Sequence, residues 1–363
     1  MNKRIFLFAT TAFFALNFAI NVAAQDPVFT QYYNSRAYLN PAYTGVEHGL
    51  TVSAAARNQF ANLSGQFYTA AVCAELQEPT LHSGFGISAL RQTIGEAAFS
   101  LQNFNFSYSY VLPLSNVAAR NAHNLSLGLR AGLSQRSFDP TKLRFLDQLD
   151  ATQGVVNATS ASPLLDNISY FDAQAGVLWR SELRFGRVHT RNNAGLSVTH
   201  LTGKEAGFSG FIADAALHTT LHAGSEIPLL AWTHGKHQVA WSPNVRAELQ
   251  SKLTLISYSA YLLYDAAYLG ACYHSQIANN TKNNEVNGFN SWALMAGIKV
   301  PMSSETNHTL LIGYSYENRI GDIGTLFGNA HELTLRYNFG DTQIFRLENP
   351  TTKGKIIACP SLF

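Results

Sequence analysis

Two-residue alternation of apolar and polar positions runs through nearly the whole chain. In "HNLSLGLRAGLSQ", Leu125, Leu127, Leu129, Ala131 and Leu133 fall on one face, while Ser126, Gly128, Arg130, Gly132 and Ser134 fall on the other. "FNFSYSYVL" sets Phe104, Phe106, Tyr108, Tyr110 and Leu112 against Asn105, Ser107, Ser109 and Val111. "HELTLRYNF" opposes Leu333, Leu335, Tyr337 and Phe339 to Glu332, Thr334, Arg336 and Asn338. This is the period of a β-strand with one apolar and one polar face. Such runs fall near 49–58, 66–75, 83–92, 98–112, 123–137, 168–181, 192–202, 214–227, 237–250, 253–264, 266–276, 290–300, 307–319 and 331–339, about fourteen strands. Most are about 10–15 residues long. Strands of soluble domains average about 5–6 residues, whereas a tilted membrane-crossing strand needs about 9–11.

Length therefore predicts an all-β chain folded as an antiparallel transmembrane β-barrel of the outer-membrane type. Lipid offers no partner to an open sheet edge, so the sheet must close, and an even strand number closes it antiparallel. Aromatics at strand ends (Tyr110, Tyr264, Tyr316, Phe339) fit the girdles at the two membrane interfaces. A soluble sandwich or propeller is the alternative, and it calls for shorter strands and no systematic Tyr/Phe exterior. With both termini periplasmic, odd-to-even connections face outside, including the long polar ones at 138–167 and around "ANNTKNNEVNGFN".

Composition sharpens the picture. Charged residues make up 13% and aromatics 12% of the chain, against about 25% charged in soluble domains. The net charge of +2 argues against a nucleic-acid partner. Lys3 and Arg4, the apolar run from Ile5 to Val22 and the small residues Ala23-Ala24 read as a signal peptide over 1–24. An uncleaved anchor is the alternative, disfavoured by Thr10, Thr11, Asn17 and Asn21 within the run. No later segment is long and apolar enough for a spanning helix.

Candidate chemistry is thin. G-x-S-x-G, H-E-x-x-H and P-loop motifs are all missing, so no enzyme and no cofactor or metal is expected. His218 and His222 share strand parity and point into the lumen, as solvated pore residues or as metal ligands lacking a third partner. His234 and His237 invite the same question. Lumenal charges such as Arg130, Arg246, Glu248, Glu332 and Arg336 are expected to form internal ion pairs, because an ionised group facing lipid at midplane costs about 2–4 kcal/mol. Cys73 and Cys272 read as small apolar fillers within strands.

One stretch breaks the alternation. "QDPVFTQYYNSRAYLNPAYTG", residues 25–45, carries the turn-forming pairs Asp26-Pro27 and Asn40-Pro41 and a run of aromatics. Its residues Gln25, Asp26, Pro27, Phe29, Gln31 and Tyr32, then Tyr38, Leu39, Asn40, Pro41, Ala42, Tyr43 and Gly45, resemble the N-terminal motif of the PorP/SprF-like outer-membrane proteins of type IX secretion in Bacteroidetes. Arg57-Asn58-Gln59-Phe60 resembles that family's Arg-x-Gln-Trp element, with Phe for Trp. "GFGISALRQTIGEA", "FDPTKL", "AGLSVTHL" and "CPSLF", which holds Cys359 and Pro360, extend the resemblance over nearly the full chain.

The resemblance implies a division into a signal peptide (1–24), the motif segment (25–45), the barrel (46–340) and a periplasmic tail (341–363). It further implies a component of type IX secretion that supports export or cell-surface attachment of a partner, an adhesin or a gliding-related protein among them. Its partners would be outer-membrane lipid and a secreted surface protein or secretion and gliding components, in either the core or the adhesin-partner branch. A barrel of fourteen strands is too wide for side chains alone to fill. Residues 25–45 are accordingly expected to lie at the periplasmic mouth or in the lumen, with Tyr32, Tyr38 and Tyr43 stacked on barrel residues. Cys359 stands in the tail, either as a remnant or in a docking or disulfide role. A porin-like channel for small molecules is the alternative from another functional class.

Overall fold

The computed structural model describes residues 26–340, apart from 63–64, 66, 96–98, 117–118, 138–145, 151–153, 156–166, 204, 207–211, 214–215, 230–237, 251–252, 279–289, 303–306 and 322–327. Residues 1–24, read above as a leader, Gln25, His234, His237, Cys359, Pro360 and most of the 138–167 connection lie outside the described residues.

Fourteen strands form one closed antiparallel barrel. They are β1 (Leu50–Gln59), β2 (Phe67–Glu78), β3 (Ser83–Ile94), β4 (Phe99–Pro113), β5 (Ala122–Ser137), β6 (Asn167–Phe185) and β7 (Val188–Thr199). The second half comprises β8 (His218–Pro228), β9 (Val239–Gln250), β10 (Leu253–Tyr264), β11 (Ala267–Ala278), β12 (Asn290–Pro301), β13 (Thr309–Arg319) and β14 (Ala330–Asn338). Each strand pairs with its chain neighbours, and β1 closes onto β14 from Thr51↔Asn338 to Gln59↔Ala330. The alternation marked all fourteen strands, with ends displaced by a few residues.

Which face is buried decides what surrounds the barrel. Phe104 is 71% and Leu129 62% exposed, whereas Ser126 is 0% and Arg246 2% exposed. The apolar face of every such strand looks outward and the polar face inward, the inverse of a water-soluble sheet and the arrangement lipid requires. Among the described residues no helix is long and apolar enough to cross a membrane.

The two rims differ. Connections at 138–166, 200–217, 279–289 and 320–329 all leave one rim, while the other carries tight turns such as Gly186-Arg187 and Asp265-Ala266. Gly186 takes φ +62° at the first position of its two-residue turn, a conformation that suits glycine. Outer-membrane barrels keep short turns on the periplasmic side and long loops outside. Strand β1 starts and β14 ends at the short-turn rim.

Candidate functional site

The stretch that breaks the alternation lies inside the barrel. From Asp26 to Val46 nearly every residue is buried, and Asn40, Ala42 and Thr44 are fully so. The path runs from rim to rim. Asp26 meets His200, His218 and Gln250 at the long-loop ends of β7, β8 and β9, whereas Glu47 meets Arg336 at the short-turn end of β14.

Glu332 of β14 grips the first part of the segment. Its carboxylate accepts the backbone N–H groups of Thr30 and Gln31, each at 2.8 Å. Arg57 of β1 pairs with that carboxylate at 3.2 Å and with Glu317 of β13 at 2.8 Å, and it donates to Thr30 Oγ1 at 2.6 Å. Charge-assisted bonds of this kind are the strong class, and here they tie the segment to the seam where the barrel closes. Gln31 Oε1 accepts from Tyr268 at 3.0 Å and from Thr334 at 3.2 Å.

Two short helical turns, Tyr32–Ser35 and Arg36–Leu39, then carry the chain across the lumen. Tyr32 and Tyr33 share a hydroxyl hydrogen bond, and Tyr33 reaches Ser259 at 2.7 Å. The Arg246 guanidinium sits 4.4 Å from the centre of the Tyr32 ring and donates to the Phe29 carbonyl at 3.2 Å. Arg130 covers the Tyr38 ring at 5.1 Å, and Phe29 meets Tyr38 edge-on at 5.9 Å. Arg36 and Arg336 both pair with Glu47. Burial pushes the Glu47 carboxyl up, but the two guanidiniums outweigh it and hold it down at about 2.

The Asn-Pro pair has a defined local role. Asn40 precedes a single 3₁₀ turn, Pro41–Tyr43, and its Oδ1 accepts from the Ala42 N–H at 2.9 Å, with Pro41 in the first position of the turn. This is N-capping by a preferred residue, followed by a proline whose missing N–H costs nothing there. The other end of the Asn40 amide donates to the Val177 and Leu196 carbonyls at 3.1 and 3.3 Å. The Leu39 carbonyl accepts from Ser197 at 2.8 Å and from Gln174 at 3.3 Å. Tyr43 stacks on His222 at 5.3 Å and donates to Asn193 at 3.1 Å. Ser109 donates to the Thr44 carbonyl at 2.6 Å, and the Gly45 N–H donates to Glu75 at 3.1 Å.

Glycines on the inner wall make room for this turn. A Cβ at Gly128 would lie 2.2 Å from the Ala42 nitrogen, and one at Gly176 would lie 2.0 Å from Asn40 Oδ1. A Cβ at Gly84 would lie 2.0 Å from the Thr44 carbonyl oxygen, and one at Gly195 would meet the His222 ring at 2.4 Å and Asn40 Nδ2 at 2.9 Å. The polar face of β3 and β5 is therefore partly a track without side chains, on which the Pro41–Gly45 backbone rests, and that of β6 and β7 leaves room for the Asn40 side chain.

At the other rim, Asp26 Oδ2 lies 2.8 Å from His218 Nδ1 and 3.0 Å from His200 Nε2. His200 Nδ1 lies 2.9 Å from Asp172. Burial alone would raise the Asp26 carboxyl, yet the two imidazoles hold it well below the ordinary carboxylate range. Burial would lower His200, and its bonds to Asp172 and Asp26 carry it up to about 10.

The structure differs from expectation in detail. His222 is buried against Asn40 and Tyr43, and His218 is half-buried and bound to Asp26, so both are engaged by the segment instead of standing as free, solvated pore residues. Arg246 has Glu248 at 3.6 Å, Arg336 pairs with Glu47, and Arg130 spends its charge on an aromatic ring. Cys73 and Cys272 are buried free thiols. Among the described residues no cluster of three His, Cys, Asp or Glu side chains is placed to hold a metal. Sequence reasoning passed over Glu47, Asp172, His200 and Glu317. The usable signal was polar-face parity, which puts Arg57 on the same face as Glu332 once β1 and β14 close the barrel.

A family model described as type IX secretion system membrane protein PorP/SprF matches residues 21–337. Among solved structures, the chain is similar to CdiB from Acinetobacter baumannii, at 9% identity and a TM-score of 0.41, covering 80% of this chain and 60% of that one. It thus spans less than two thirds of CdiB. Omp33 from the same organism matches at 7% identity and a TM-score of 0.39, covering 82% of this chain and 100% of its own. The β domain of the Bordetella autotransporter BrkA matches at 11% identity and a TM-score of 0.37, covering 80% and 98%. No curated protein matches the sequence.

Proposed function

Because the chain belongs to the PorP/SprF family of type IX secretion membrane proteins, we propose that it is a plugged outer-membrane barrel that holds a secreted partner at the cell surface. Membership and the inside-out barrel make it an outer-membrane component of that system. The choice of partner, an adhesin or gliding-related protein, is the finer part of the proposal. One observation carries it: the lumen is crossed from rim to rim by the chain's own residues 26–47, fastened to β1, β2, β4–β11, β13 and β14. A barrel filled in this way offers surfaces to other proteins, and we take it to act by binding rather than by catalysis. The same crossing of the lumen by 26–47 speaks against the porin-like alternative.

The test is affinity purification of the tagged barrel from native outer membranes, followed by surface proteolysis of cells lacking it. Co-purification of one secreted surface protein that disappears from the surface of the deletion strain supports the proposal. A barrel that co-purifies with no secreted or type IX component, with an unchanged surface proteome, overturns it.

A further inference from the structure

Deepening the anchoring proposal, on which it rests for the source of the ligand, we infer that the long-loop end of the lumen is a binding site for a short, extended polypeptide of low net charge. Beside Asp26–Thr30 the lumen is not filled: a cavity of about 530 Å³ opens there between the segment and the walls of β1–β3 and β8–β13. That lies within the roughly 300–1,000 Å³ of ligand sites. By contrast, the void between the segment and the wall beside Tyr38 is about 50 Å³ and the one beside Glu47 about 20 Å³.

The lining is specific in type. Gln59, Gln92, Gln250, Gln276 and Asn290 bring five carboxamides from five strands to the cavity. Among the described residues, Gln59, Gln92, Gln276 and Asn290 make no side-chain hydrogen bond. Buried Glu248 also lines the cavity, with Oε2 unpartnered. A carboxamide both donates and accepts, as does the main chain of an extended peptide. Phe67, Ile94, Leu253 and Leu255 give apolar walls between these amides. The charges there, Arg57 and Arg319 against Glu248, Glu317 and Asp26, with His218 Nδ1 2.8 Å from the Asp26 carboxylate, come close to balance, so the site has no strong bias toward a polyanion or a polycation.

The same lumen already holds extended backbone with these groups. Gln250 accepts the Asp26 N–H at 3.3 Å, Glu332 takes two successive N–H groups, and Arg246 donates to the Phe29 carbonyl. The cavity continues that wall on the free side of the segment. A carbohydrate would also meet amides, but it needs an open aromatic face. Phe60 has Arg319 over its ring at 4.6 Å and packs edge-on against Phe67 at 4.9 Å.

The experiment pans a phage-displayed library of random linear dodecapeptides against the full-length barrel in nanodiscs. Selected peptides are titrated against wild type, against Gln92→Trp and Gln276→Trp, which fill the cavity, and against Gln276→Leu, which removes an amide without adding bulk. Folding of each variant is checked by heat-modifiable migration. The expected result is a family of enriched peptides with alternating apolar residues, bound at least tenfold more weakly by the tryptophan variants and severalfold more weakly by Gln276→Leu. Failure to enrich any peptide, equal binding to all variants, or binding of a glycan array in place of peptides would overturn the inference. Partner capture by the same barrels separates the two claims. Capture at wild-type level by both tryptophan variants, with no peptide selected, removes the peptide site and leaves the anchoring proposal standing. Peptides selected by a wild-type barrel that captures no partner do the reverse.

Discussion

Asn40 uses both ends of one buried carboxamide, capping Ala42 with its oxygen and reaching the β6 and β7 carbonyls with its nitrogen. Truncation leaves buried groups unpaired on both sides, so Asn40→Ala is expected to cost about 2–3 kcal/mol in urea unfolding of the refolded barrel. Gly128→Val tests the track beneath it. A Cβ 2.2 Å from the Ala42 nitrogen cannot be accommodated by a side-chain shift, because backbone stands in the way. Overpacking of this kind costs about 1–3 kcal/mol; the variant is expected to keep its barrel and to become cleavable by trypsin at Arg36, which is buried in the wild type. Glu47 supplies a pH dependence whose sign is fixed. Its folded-state value lies at about 2, below the ordinary 4.5, so its contribution is fully present above about pH 4.5 and is lost as the pH falls toward 2. Acid melting curves of Glu47→Gln should therefore lie below wild type at neutral pH and converge with it near pH 2.

At the scale of elements, the strands were legible because each has one face in lipid and one in the lumen, and that contrast writes a period of two into the sequence. "HNLSLGLRAGLSQ" and "HELTLRYNF" needed no partner strand to be read. The segment 26–47 was legible only as an exception, through Asp26-Pro27 and Asn40-Pro41. Its route was not legible, because its holding partners are remote: Thr30 and Glu332 are separated by 302 positions, and nothing local to Thr30 announces them. The glycines of the track were visible, yet in an alternating strand a lumenal glycine reads only as a small polar-face residue until the turn that lies on it is known. The seam between β1 and β14 is the element where both halves meet, since Arg57 serves Glu317, Glu332 and Thr30 together. Arg57→Ala would leave the buried Glu332 and the half-buried Glu317 carboxylates without their shared cation. Breaking such a set costs about 3–5 kcal/mol. The expected outcome is a heat-modifiable barrel with a strongly lowered melting temperature, partly restored when Glu317→Gln is added.

For the whole molecule, what counts is whether the barrel is a passage or a sealed body. Fourteen strands enclose more space than their inward side chains can fill, and here the balance is made up by 26–47, fastened at the long-loop rim by Asp26 and at the short-turn rim by Glu47. The attachments are spread around the wall, so loss of any single one leaves the segment held by the others, and opening requires removal of the segment as a whole. Planar-bilayer recordings check this directly. The intact barrel is expected to be electrically silent at low voltage. A variant lacking 26–45, with Gln25 joined to Val46, is expected to show large steady conductance, with Asn40→Ala showing at most brief openings. A steady conductance in the wild type, equal to that of the deletion, would mean that the segment does not seal the lumen and would return the molecule to the porin class. If the deletion conducts but still captures its partner, the segment is a plug alone; if capture is lost with the seal, it also shapes the outer vestibule, whose floor Asp26–Thr30 forms.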